Sequence, residues 1–192
     1  MWQQILPGFR MMVIMTVLTG FIYPGVVTGV CRVLFHDKAD GSLLSANGQV
    51  IGSRLIAQAF TKPEYLQPRP SAAGNGYDAT SSSFSNLGPT SQKLIDRVKA
   101  AEADFRKNNP DFTGPIPADL LTTSASGLDP EVSPASADAQ APRIAKARGI
   151  TVEEVRAVIA RHTDGRDFGF MGEPRVNVLE TNLDLDKQYP KR

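Results

Sequence analysis

Apolar positions crowd the start of the chain and break into short runs afterwards. From Met11 to Cys31 (MMVIMTVLTGFIYPGVVTGVC) no residue carries a charge. As a helix these 21 residues span about 31 Å, close to the ~30 Å hydrocarbon core of a bilayer. Trp2 and Arg10 on one side, and Arg32 and Phe35 on the other, suit the two interfaces. The pattern predicts a membrane helix over 11–34, preceded by a short N-terminus, 1–10, and followed by one domain, 35–192. A cleaved signal peptide is disfavoured, because Val30-Cys31-Arg32-Val33-Leu34-Phe35 is bulky where a small-x-small site belongs. Gly25 and Gly29 form a GxxxG, and Thr16 and Gly20 a second small pair, either of which lets another helix approach closely. Pro24 lacks a backbone donor and is expected to bend the helix.

Beyond the anchor the periodicities are shorter. Residues 42–60 place Asn47-Gly48, a hairpin-turn signal, between two short strands, the second around Gln49–Ile56. Residues 63–91 are rich in Pro, Gly, Ser and Asn, with no period of 2 or 3.6. Tyr65, Leu66, Tyr77, Phe84 and Leu87 recur through them, which favours an ordered loop packed on the domain over a disordered linker. Ser91–Asn108 is amphipathic, with Leu94, Val98, Ala101 and Phe105 on one face. Residues 113–132 read as loop. Ser133-Pro134 supplies a helix N-cap and first position, and Gly149 a C-cap, with Pro142 expected to kink or divide the helix between them. Thr151-Val-Glu-Glu154 is a capping box for a further helix that lines up Val152, Val155, Ile159 and His162. A turn over 168–174 then leads to Arg175–Leu185, whose alternation reads as a strand. The whole predicts an α+β domain on a small sheet, with several helices, behind a single N-terminal transmembrane helix.

Charge and cysteine narrow the function. The chain has 192 residues and a net charge of +1. Arg10 and Arg32 flank the anchor, and the remaining basic residues nearly balance the 20 acids, all of which follow it. No basic stripe marks a nucleic-acid binder. Cys31 is the one cysteine, so no internal disulfide or thiolate cluster can form. Phosphate-loop, GxGxxG and Asp-Lys-Thr-Gly motifs are absent. His36 and His162 lack ligand-spaced partners, and His162 reads as a partly buried core residue. A triad of Ser126, His162 and Asp129 lacks a GxSxG, and Asp129-Pro130 and Glu173-Pro174 read as turn and cap residues rather than paired catalytic carboxylates. What remains are polar loops with isolated charges: Arg69-Pro70-Ser71, Asn86-Leu87-Gly88-Pro89, Gly127-Leu128-Asp129-Pro130 and Gly172-Glu173-Pro174-Arg175. From residues alone the expectation is an accessory or assembly subunit without catalysis.

Those loops carry a resemblance. RPSAAGNGYDATSSSFSNLGPTS (69–91), IPADLLTTSASGLDPEVSPASADAQAPRIAKARG (116–149), His162-Thr163 with Arg166, and FGFMGEPRVNVLETNLDLD (168–186) resemble the C subunit of the Kdp-type potassium-transporting ATPase. With the N-terminal helix they cover nearly the whole chain. Ser83-Phe84 stands where that family tends to have glycine, and Pro142 where it tends to have an apolar helix residue.

The resemblance implies a non-catalytic subunit of a high-affinity, ATP-driven potassium importer of the bacterial inner membrane. Its partners would be a channel-like potassium-binding subunit, a P-type ATPase subunit and a small single-helix subunit. It implies a cytoplasmic N-terminus and a periplasmic domain, an orientation that Arg10 and the α-amine against Arg32 and Lys38 leave undecided. It also implies a role in assembly and, as a catalytic chaperone, in raising the ATP affinity of the ATPase subunit, with no cofactor held firmly and ATP shared in a ternary complex. ATP is hydrolysed on the cytoplasmic side, so either that effect is allosteric, passing through the anchor and partner helices, or the chaperone role reflects contacts of an isolated domain. An assembly and gating role at the outer mouth of the pore is favoured. For direct nucleotide contact the candidates are Gln140 and the 124–130 loop, although solvent exposure explains a polar Gln140 equally well. The partner-binding candidates are Thr16, Gly20, Pro24, Gly25 and Gly29 on the helix, and Arg69, Ser71, Asn86, Gly127, Asp129, Glu173 and Arg175 on the loops. Two alternatives are a membrane-anchored periplasmic small-solute binding protein and an anchored hydrolase acting through Ser126.

Overall fold

The computed structural model describes residues 2–46 and 48–190. It divides into two compact units, one ending at Ile51 and the other beginning at Gly52. The first is dominated by α1, Trp2–Leu34, a 33-residue helix long and apolar enough to cross a membrane. None of it is buried, and large apolar side chains such as Phe9, Ile14, Phe21 and Val26 are all uncovered. A short α2 (His36–Ala39) and the strands β1 (Leu43–Ala46) and β2 (Gln49–Ser53) follow, the strands pairing as a two-stranded sheet. The expected turn falls on Asn47, which lies outside the described residues, as does Met1, whose amine entered the charge count; Gly48 has φ +77°.

The second unit contains α3 (Gln92–Asn108), a 3₁₀ turn at Ala118–Leu120, β3 (Glu131–Val132), α4 (Pro134–Arg148), α5 (Val152–Arg161), β4 (Thr163–Asp164), β5 (Arg175–Asn177) and α6 (Val178–Gln188). Its sheet has the order β3-β5-β4, all antiparallel, with Val176 opposite both Val132 and Thr163. Helices and two small sheets make the chain α+β.

The capping signals act as written. The Ser133 side chain accepts from the Ser136 N–H, with Pro134 at the first turn, and Gly149 ends α4 at φ +69°. Thr151 and Glu154 form both bonds of the capping box. Val132, Ala141, Ile144, Val155, Val158, Val176 and Leu185 pack into the main core with Leu66 from the long loop. Each fully buried Leu or Ile there contributes about 1.5–3 kcal/mol. A second cluster joins Phe105 of α3 to Leu120 and Ala139, with Phe112 set edge-on to Phe105 at 5.9 Å.

Two expectations need correction. Residues 175–185 are not one strand, because the chain turns into α6 at Val178. Asn177 caps that helix by accepting the Glu180 N–H at 3.1 Å, and Val178, Asn182 and Leu185 are buried at helical spacing. Pro142 does not divide α4, which is continuous through it. The Asp138 carbonyl that loses its helical donor belongs to a half-exposed residue, where water can replace the bond.

Candidate functional site

Along α1 the close-approach residues are bare. A Cβ added at Gly25 or Gly29 would meet nothing within 4 Å, and one at Gly20 only the Thr16 methyl at 3.9 Å. Leu18–Ile22 forms a π-helical turn just before Pro24, closed by the Tyr23 N–H on the Leu18 carbonyl. A proline clashes with the carbonyl four residues back, and the wider turn relieves that clash at Gly20.

In the domain, the stretch 63–67 has no secondary structure, yet side chains satisfy each of its carbonyls. Arg143 donates to Pro63 and Tyr65, Arg148 to Glu64 at 2.8 Å, Asn182 to Leu66 at 2.9 Å and Gln140 to Gln67 at 3.1 Å. The amide oxygens of Asn182 and Gln140 take the N–H groups of Leu66 and Gln67 in return, at 2.8 and 2.9 Å. Two buried amides thus act as strand neighbours to a loop, each pairing with both backbone groups of one residue. Burial lowers the Arg143 guanidinium to about 10, against the favourable charge of Glu64. Arg148 also lies over the Tyr65 ring at 5.2 Å and pairs with Asp186 at 2.8 Å.

Further on, two polar loops are fastened to each other. The Arg69 Nη1 donates to Asp129 Oδ2 at 3.0 Å, and the Ser71 hydroxyl donates to the Gly127 carbonyl at 2.6 Å while accepting the Tyr77 N–H at 2.8 Å. The Tyr77 hydroxyl donates back to the Arg69 carbonyl at 2.8 Å, and burial pushes that phenol up to about 12. Gly127, at φ +68°, must be glycine: a Cβ would lie 2.7 Å from the Ala73 nitrogen and 2.7 Å from the Ser83 carbonyl oxygen.

The 168–174 segment is a turn, as expected, closed by an Asp167–Met171 bridge. At its base Glu173 accepts from Arg166 at 2.7 Å. Arg175 lies 3.3 Å from Glu131, whose carboxyl burial raises against the pull of that guanidinium.

A family model described as "K+-transporting ATPase, c chain" matches residues 5–187. The chain is 54% identical over 191 residues to the potassium-transporting ATPase KdpC subunit of Koribacter versatilis, covering 99% of this chain and 97% of that one. The KdpC subunit of Caulobacter sp. strain K31 is 56% identical over 176 residues, 91% and 89% of the two chains. That of Mycobacterium bovis is 50% identical over 188 residues, 97% and 100%.

The chain belongs to the KdpC family.

Within this KdpC-family chain the twelve positions expected to meet other subunits fall into separate groups. Thr16, Gly20, Pro24, Gly25 and Gly29 belong to α1. Arg69, Ser71, Gly127 and Asp129 come together in the fastened loops, Glu173 and Arg175 stand at the C-terminal end of the 168–174 turn, and Asn86 stands apart, exposed at φ +48°. Gln140 is not a solvent-exposed residue: it is 1% exposed, and its amide is bonded to Gln67, Ser136 and Arg143. It also borders a cleft of about 420 Å³ with Phe60, Tyr77, Asp104 and Phe105.

His162 is half-buried, its Nε2 3.0 Å from Asp184, while Ser126 Oγ accepts from the Leu128 N–H and Asp129 serves Arg69. Among the described residues no group of three or more His, Cys, Asp or Glu is placed to hold a metal. Sequence reasoning missed Asn182 and Arg143. The signal for Asn182 was a polar residue on the apolar line of a helix, hidden while that segment read as a strand.

Proposed function

We propose that this chain is a non-catalytic accessory subunit of a high-affinity, ATP-driven potassium import complex, required for the complex to assemble and persist. The observation that carries the reading is α1: 33 residues of uncovered apolar helix in a chain that matches potassium-transporting ATPase subunits over nearly its full length. An apolar helix of that length belongs in lipid, and its bare glycine face suits another helix. In this reading the N-terminus is cytoplasmic, the domain is periplasmic, and α1 meets the channel-like, P-type ATPase and single-helix subunits. The loop groups around Arg69, Asn86, Gly127 and Glu173 dock on the outer side.

Any effect on the ATPase subunit's nucleotide affinity is then allosteric, transmitted through α1, since a periplasmic domain cannot reach cytoplasmic ATP. The commitment of the Gln140 amide to the 63–67 loop supports the indirect route over direct contact.

The test is affinity purification of the tagged full chain from mild-detergent extracts of native membranes. Recovery of a P-type ATPase and a channel-like protein, with potassium-stimulated ATP hydrolysis in the eluate, is expected. Recovery of the chain alone overturns the reading.

A further inference from the structure

Ten arginines lie in the second unit among the described residues, and nine have an acid or a carbonyl for a partner. Arg97 has neither. Its Nε is buried without a hydrogen bond, and among the described residues no carboxylate lies within salt-bridge reach of its guanidinium. A guanidinium keeps its charge at every physiological pH, and a partly buried, unpaired one is costly.

Arg97 lies on α3, in the wall of an open cleft of about 550 Å³ whose other polar walls are Ser85, Asn86, Thr122, Thr123 and Ser124. No acidic residue lines it. Thr122 and Ser124 are already engaged, Thr122 donating to the Ala118 carbonyl at 2.8 Å and Ser124 sharing a contact with Ser126. The side chains of Ser85, Asn86 and Thr123 line the same cleft and make no hydrogen bond among the described residues, so they are free to bond a group placed beside Arg97. One fixed positive charge, ringed by hydroxyl and amide donors and lacking any internal acid, is the complement of a carboxylate.

We propose that this cleft receives an acidic side chain of another subunit of the complex, held by Arg97. The inference rests on the accessory-subunit reading and makes it specific: it names the residue, the cleft and the partner's chemistry. A subunit that docks in a transport complex gains register from such a pair, because a wrong partner leaves the charge unpaired.

The experiment uses the full chain co-expressed with its transport subunits. Arg97→Glu is expected to lower retention of this chain in the purified complex roughly thirtyfold, the equivalent of about 2 kcal/mol for losing one partner of a buried pair. Arg97→Lys keeps the charge and is expected to retain most of the binding at low salt, with greater salt sensitivity. It also places an amine in the cleft, so a zero-length carbodiimide should join residue 97 to a Glu or Asp of another subunit, mapped by mass spectrometry. Thermal unfolding of both variants should match the native chain, because Arg97 makes no internal bond to lose. Native retention of Arg97→Glu at all salt concentrations, or a residue 97 cross-link only within this chain, overturns the proposal. If the unaltered chain fails to co-purify with other subunits, the accessory-subunit reading fails first, and the two failures stay distinguishable.

Discussion

Asn182 and Leu66, 116 residues apart, pair through both backbone groups of Leu66, its N–H 2.8 Å from the amide oxygen and its carbonyl 2.9 Å from the amide nitrogen. Leu66 is fully buried and Asn182 nearly so, which leaves no water to replace either bond. Asn182→Ala strands a buried donor and a buried acceptor, at about 1–3 kcal/mol each. A loss of about 2–4 kcal/mol is expected in the urea midpoint of the full chain in detergent. Arg156→Ala, which breaks a solvent-screened exposed pair with Asp138, should leave the midpoint close to that of the native chain. Equal effects of the two variants would show that the amide does not hold the loop.

Acid should loosen the cap of α4. Burial works to raise the Asp119 carboxyl, but hydrogen bonds from Ser136 and from the Ser133 N–H and hydroxyl prevail and hold it below the usual carboxylate range. The unfolded chain therefore binds more protons than the folded one in the window just below the ordinary Asp value, and stability rises with pH across it. This contribution is full above the unfolded pKa and vanishes as pH falls through the folded one. At pH 7 Asp119→Asn should cost about 1–3 kcal/mol, with the gap to the native chain closing under acid. A gap that stays constant from pH 7 to pH 3 contradicts the assignment.

Gly127→Ala puts a methyl against the Ala73 and Ser83 backbones and forces an L residue to φ +68°. The fastened loops should separate, at a cost of about 2–4 kcal/mol, and limited proteolysis should cut within 69–91 at rates well above native. Gly76→Ala, also at positive φ but with open space around it, should show only the smaller backbone cost of about 1 kcal/mol.

The paired change of Gly25→Leu and Gly29→Leu should reduce recovery of intact complex while leaving unfolding of the domain unchanged. The chain has room for both side chains, so any loss arises at a contact with another helix. Undiminished recovery counts against the helix-contact role.

Local signals were legible in the sequence wherever the physics is local. Ser133, Gly149 and the Thr151–Glu154 box act within one turn of themselves, and the uncharged anchor within one run. The 175–185 segment failed because Val176 and Val178, and again Leu183 and Leu185, alternate over two short runs of opposite phase, while Val178, Asn182 and Leu185 satisfy a helical spacing. The Asn177 cap decided between them. Order in 63–67 was legible from Tyr65 and Leu66. Its cause was not, because Gln140 and Asn182 reach it across 73 and 116 residues.

The π-helical turn at Leu18–Ile22 governs whether the two small-residue pairs of α1 share a side. On an unbroken α-helix each residue rotates the chain about 100°, so five steps from Gly20 to Gly25 would set Gly25 and Gly29 about 140° round from Thr16 and Gly20. A π-helical turn absorbs one extra residue, and because Gly20 lies at its middle only about half of that shift falls between Gly20 and Gly25, so the offset narrows to about 90°. Two pairs that the letters set nearly opposite are drawn toward one side of the rod over some three turns. Forcing that turn back to α geometry would swing Gly25 and Gly29 further from Thr16 and Gly20, and away from any helix reaching for both.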